Sequence, residues 1–144
     1  MSYRIQCKQG IVGGIVAPTV KQLVEIEGDK TGATVRFSTR KARREYNTLK
    51  GEISGQEVQT LVSDLRSELH NLPTEQPVGA QDIYGFDISI SFDWNDFHWQ
   101  NGGPEGCVQF TSSVQPTVAQ KQKFKELVDR ILEVGKKFAI QQVE

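Results

Sequence analysis

The stretch Tyr84-Gly85-Phe86-Asp87-Ile88-Ser89-Ile90-Ser91-Phe92-Asp93-Trp94-Asn95-Asp96-Phe97-His98-Trp99 decides the architecture. From Tyr84 to Trp94 every second residue is large and apolar, and between them stand Gly85, Asp87, Ser89, Ser91 and Asp93. Successive side chains of a strand point to opposite faces, so this pattern gives a half-buried antiparallel sheet with one apolar and one polar face. Six such side chains on a central strand would each gain roughly 1.5–3 kcal/mol on full burial, so that face must be covered. With Asn95-Asp96 at the centre of a tight turn, Trp94 faces Phe97 and Phe92 faces Trp99, all on the apolar side. The same register sets Asp93 opposite His98 on the polar side and predicts contact between them.

Working outward, Tyr3, Ile5 and Cys7 alternate with polar residues as a first strand. A loop at 10–17 follows, rich in glycine yet apolar through Ile11, Val12, Ile15 and Val16. Val20 to Glu27 reads as a second strand, Gly28 to Gly32 as a turn, and Ala33, Val35 and Phe37 as a third strand. A turn is expected at about 40–43 and a strand from Arg44 to Leu49. Ser54 begins a helix, with Glu57 placed to complete a capping box and Pro73 to stop it. Val58, Leu61, Val62, Leu65, Leu69 and Leu72 form its apolar stripe. Residues 73–81 read as a polar linker and 101–106 as a mobile loop. Val108 and Phe110 mark a last strand. Thr117 and Gln120 cap a second helix whose buried face is Phe124, Leu127, Val128, Ile131 and Phe138. Strands in runs, then a helix, then strands, then a helix indicate an α+β domain. The expectation is a single domain over 1–144: a curved antiparallel sheet of about six to seven strands, with two amphipathic helices on one face.

The 144 residues suffice for a core without metal or disulfide staples. A net charge of −1 selects neither nucleic acid nor an anionic membrane. No apolar run approaches the ~18–20 residues of a membrane span, and the first residues show no apolar leader, so the chain reads as cytoplasmic. Two cysteines, Cys7 and Cys107, are too few for a disulfide scaffold and read as buried thiols.

Metal and cofactor chemistry find little support. His70 and His98 are far apart, and neither H-E-x-x-H nor C-x-x-C occurs. Asp93, Asn95 and Asp96 echo a calcium loop but lack its glycine and distal glutamate. Gly10, Gly13 and Gly14 lack the spacing, the lysine and the following helix of a phosphate loop. No cofactor and no metal are expected.

Three functional classes remain. The first is a non-enzymatic protein-interaction module, with contacts from Ile11, Val12 and Ile15 in the loop and from Trp94 and Phe97 at the hairpin tip. The plainer reading of those two rings is that they cap the core. The second class is an enzyme or small-ligand binder with a pocket between sheet and helices, using Asp93, His98 and Glu105 as convergent polar groups. The plainer reading of Asp93–His98 is a solvated charge pair. The third is nucleic-acid binding through the basic run Arg40, Lys41, Arg43 and Arg44, which Arg36 and Lys50 could extend along one edge with Tyr46 interleaved. The acidic balance weighs against it, and a basic run also protects a sheet edge. The expected partner is therefore another protein rather than nucleic acid or membrane, with self-association open.

In layout the chain resembles the emfourin type of small inhibitors of thermolysin-like metalloproteases. The features shared are Gly13-Gly14, the helix ending at Leu72-Pro73, Asp82 leading Tyr84-Gly85-Phe86-Asp87-Ile88-Ser89-Ile90, and the final helix from about 117. The chain is longer than that type through its 28–50 and 101–106 regions. The resemblance implies an α+β fold and a binding rather than catalytic role, with loop 10–17 as a contact surface.

Overall fold

The computed structural model of the chain describes residues 2–10, 20–42, 45–76, 82–102 and 112–143. It is an α+β structure built on one open antiparallel sheet. The strands are β1 (Ser2–Gln9), β2 (Gln22–Asp29), β3 (Gly32–Ala42), β4 (Glu45–Ser54), β5 (Ile88–Trp94), β6 (Phe97–Gln100) and β7 (Gln141–Gln142). Their spatial order is β6-β5-β1-β2-β3-β4-β7. The helices are α1 (Gly55–Leu69), between β4 and β5, and α2 (Val118–Phe138), before β7.

Register explains the core. Phe92, Ile5, Ile26, Val35 and Gly51 stand directly opposite one another across five strands. Ile90, Cys7, Val24, Phe37 and Leu49 form the adjacent in-facing row. Apart from Gly51 and the half-buried Leu49, these residues are all buried. Both helices lie on this face. α1 buries Val58, Leu61, Val62, Leu65 and Leu69, and α2 buries Phe124, Leu127, Val128 and Ile131. Gly135 lets α2 sit close, because a Cβ there would lie 2.7 Å from a Phe37 ring carbon and 3.0 Å from a Val24 methyl. At Gly51 a Cβ would collide with the Phe138 carbonyl, so the end of α2 rests on β4. The Thr117–Gln120 capping box forms in full. At α1 Ser54 accepts from the Glu57 N–H at 3.3 Å, but among the described residues no bond returns from the Glu57 carboxylate.

Several expectations need correction. The alternation from Tyr84 is not strand until Ile88. The Asp82 carboxylate accepts the N–H groups of Gly85 (3.2 Å) and Asp87 (2.8 Å), winding the chain into a turn. Gly85 and Asp87 take positive φ values of 78° and 61° there. Tyr84 is nonetheless core: it stacks on Phe124 with ring centroids 4.1 Å apart, and its hydroxyl donates to the Pro73 carbonyl. The middle strand of the sheet is β2, not the aromatic strand. Arg40 and Lys41 continue β3 rather than turn, because the β3–β4 ladder runs on through Arg40–Tyr46 to a bulge at Arg40/Ala42. Asn101 and Gly102 are buried and hydrogen-bonded rather than mobile. β7 was not anticipated; it adds to β4 through Leu49–Gln142 and Lys50–Gln141. Cys107 and the strand expected at Val108 and Phe110 lie outside the described residues.

Candidate functional site

The β5–β6 hairpin has the register its pattern dictates. Trp94 pairs with Phe97, Asp93 with His98 and Phe92 with Trp99, with Asn95-Asp96 as the turn. Asn95 supplies the left-handed residue (φ 54°) that a two-residue hairpin turn demands. Phe92 and Trp99 are buried, while Trp94 and Phe97, one step nearer the tip, are half-buried. The Phe97 ring meets Phe92 edge-on at 5.7 Å. α1 reaches out to the same place. The exposed Arg66 holds its guanidinium 5.8 Å from the Trp94 ring centre and 5.6 Å from that of Phe97. Each is within cation–π range. Two aromatic rings and one guanidinium thus form a preassembled cluster at the end of the sheet.

On the other face of the tip, His98 Nδ1 lies 2.6 Å from an Asp93 carboxylate oxygen. The two side chains are 68% and 51% exposed, and they project from the face turned away from the helices. The helix-covered face of the sheet therefore lies on the opposite side from this pair. Beside it runs a broad, open depression of about 690 Å³, lined by Tyr3, Arg4, Glu27, Asp29 and Trp94 among others. Tyr3, opposite Trp94, buries a hydroxyl for which no hydrogen-bond partner exists among the described residues. Burial, with the Asp29 charge adding, pushes its phenol up to about 12.

The base of the hairpin is held by polar groups that sequence reasoning missed. The Asn101 amide accepts from Ile90 N–H (2.8 Å) and donates to the Ile88 carbonyl (2.9 Å), while Ser89 donates to the Asn101 carbonyl. The indole N–H of Trp99 donates to the Leu72 carbonyl at 3.2 Å. Glu75, only 1% exposed, accepts the Gly102 N–H at 3.0 Å. Burial raises the Asp82 carboxyl above its usual range, and burial together with the Glu75 charge raises Tyr84. Nothing in a polar segment flanked by prolines marks one glutamate as buried. The only legible signal is the Leu72-Pro73 helix end, which leaves carbonyls free for Trp99 and Tyr84.

The other candidates stand apart. Ile11, Val12 and Ile15 lie outside the described residues, as do Arg43, Arg44 and Glu105. The stem of the 11–19 segment is described: Gly10 N–H donates to Asp87 and Lys21 N–H to Gln9. These residues sit at the Gln9–Gln22–Ile88 end of the sheet, whereas the hairpin tip is at the Tyr3–Trp94 end. Six residues of strand separate the two, about 20 Å. Arg40 and Lys41 stand at the stem's end of the sheet. Among the described residues no group of three or more His, Cys, Asp or Glu side chains could hold a metal ion. Cys7 is buried in the core, and burial pushes its thiol up to about 12. No described helix is long and apolar enough to cross a membrane.

Neither the models of known protein families nor the sequences of curated proteins contain a match to this chain. Its class is thus given by its own architecture: an α+β protein with helices on one face of an open antiparallel sheet and an aromatic hairpin at one end.

Proposed function

We propose that this chain is a protein-interaction module that docks through the tip of its β5–β6 hairpin. The observation that carries the reading is the cluster of Trp94, Phe97 and Arg66: half-buried rings already ordered under a guanidinium. Trp and Arg dominate the residues that supply most of the energy at protein interfaces, and pre-ordering them lowers the entropic cost of docking. The Asp93–His98 pair forms a polar rim beside them. Asn101, Ser89 and Trp99 make the hairpin a rigid base, so a partner meets a fixed shape. A partner that also engages the 11–19 segment must reach along about 20 Å of sheet.

The resemblance to small metalloprotease inhibitors makes thermolysin-like proteases the first partners to assay, with inhibition as the readout. Affinity capture from source extract is the broader test, comparing the wild-type bait with a Trp94→Ala/Phe97→Ala bait of native far-UV CD. The partner should be retained by the wild type and lost from the double variant. Equal retention by both baits would remove the tip as the interface.

A further inference from the structure

The face of the sheet opposite the helices sorts its charges along the strands. At the hairpin-tip end Asp93, Arg4, Glu27, Thr34 and Glu52 line up across five strands. Toward the other end the out-facing positions hold Lys8 on β1, Arg36 and Arg40 on β3, and Lys50 on β4. Strand spacing and rise place these four within a field of about 14 by 13 Å. Among the described residues none of them has a carboxylate within 4.0 Å. The nearest acidic neighbour by register, Glu25 opposite Arg36, is engaged by Arg4 at 3.5 Å and Gln6 at 3.3 Å. Lys21 at this end is paired with Asp87. Tyr46 stands opposite Arg40, 45% exposed, its hydroxyl fixed on the Val20 carbonyl at 3.0 Å. Between the cations lie the hydroxyls of Ser38 and Thr48, bonded to each other at 3.0 Å.

We infer that this face binds single-stranded nucleic acid, with Lys8, Arg36, Arg40 and Lys50 on its phosphates and Tyr46 as a stacking surface. Unpaired cations spread across several strands match a flexible polyanion, and an exposed ring among them accepts any base. A protein partner fits less well, because the core of a protein interface is apolar and depleted of charge. Among the described residues of β1 to β4 the large apolar groups facing out are the half-buried Leu23 and the Tyr46 ring, with the exposed Ile140 beside Lys50 at the sheet edge. The surface goes beyond the hairpin-tip reading and is independent of it.

The test is fluorescence anisotropy with a labelled twelve-residue oligouridylate at 50 and 200 mM KCl. Four phosphate contacts give a slope of about −2.8 in log K against log salt, so binding should weaken about 50-fold over that range. In Arg36→Gln/Arg40→Gln the slope should halve, leaving about a sevenfold change. Tyr46→Ala should weaken binding at both salts. Lys123→Gln/Lys125→Gln on α2, and Trp94→Ala/Phe97→Ala at the tip, should bind as wild type does. If Arg36→Gln/Arg40→Gln loses its native CD spectrum, Lys8→Gln/Lys50→Gln serves the same purpose. Absence of binding at 50 mM, or a slope unchanged in the cation variants, would overturn the inference. So would polyglutamate of equal length competing as well as unlabelled oligouridylate, which would assign the face to an acidic protein segment.

Discussion

Removing one hydroxyl at each of two buried tyrosines should change stability in opposite directions. Tyr84 is 2% exposed and its hydroxyl donates to the Pro73 carbonyl. Tyr84→Phe loses that bond, about 0.5–1.5 kcal/mol net, and strands a carbonyl near the core, for a total of about 1–2 kcal/mol. Tyr3 is 7% exposed and its hydroxyl has no partner among the described residues. A buried unsatisfied donor costs about 1–3 kcal/mol, so Tyr3→Phe should stabilise, by about 1 kcal/mol if the site relaxes in part. At about 2–4 °C per kcal/mol for a chain of this size, the two melting temperatures should differ by about 4–12 °C, with wild type between them. Far-UV CD melts and urea titrations with equal m-values measure this directly. The alkaline limb adds a check. Because the folded Tyr3 phenol is raised to about 12, the unfolded chain releases that proton first, and stability falls as pH rises from 10 towards 12. Tyr3→Phe should lose part of that fall. If Tyr3→Phe destabilises as much as Tyr84→Phe, the hydroxyl has a partner and the register that buries it is wrong.

Gly135→Ala tests how α2 is seated. Helix propensity alone would add about 1 kcal/mol, but a Cβ 2.7 Å from Phe37 and 3.0 Å from Val24 overpacks the site by about 1–3 kcal/mol. Chemical denaturation should therefore show a net loss in wild type and a gain in a Val24→Ala background. Asn101→Ala leaves Ile90 N–H and Ile88 C=O unpaired and should cost about 2–4 kcal/mol by the same assay. A cost below 1 kcal/mol would mean that the hairpin base is not held this way. Cys7, raised to about 12, should resist iodoacetamide at pH 8.5 until the chain unfolds; peptide mapping showing modification of the native protein at Cys7 would contradict its burial.

Much of the fold was legible because it follows from period and turn length. A two-residue turn leaves one register for alternating aromatics, so the pairs from Phe92–Trp99 to Trp94–Phe97 followed from Asn95-Asp96. Helix caps at Ser54 and Thr117 are local and were equally readable. The failures were of other kinds. Alternation from Tyr84 to Phe86 imitates a strand, and only the bonds from Asp82 show that the chain turns there. Gln141-Gln142 has no pattern of its own and pairs only because α2 delivers it beside β4. The candidate sites depended on long-range register. Arg66 joins Trp94 and Phe97 from 28 positions and more away, and Lys8 shares a face with Arg36 and Lys50 only through the β1-β2-β3-β4 order. The basic edge with Arg36, Arg40, Lys50 and Tyr46 was legible along the chain, whereas Lys8, two strands away from β3, was not. The 10–17 loop was also grouped with the hairpin tip, whereas the loop's stem leaves the opposite end of the sheet.

The most direct test of the hairpin-tip reading is amide hydrogen exchange on the chain bound to a captured protein partner. Exchange should slow at residues 93–98 and near Arg66 on α1, with the Lys8–Arg40 end of the sheet unchanged. Slowing confined to the Lys8–Arg40 end, with 93–98 exchanging as in the free chain, would contradict it.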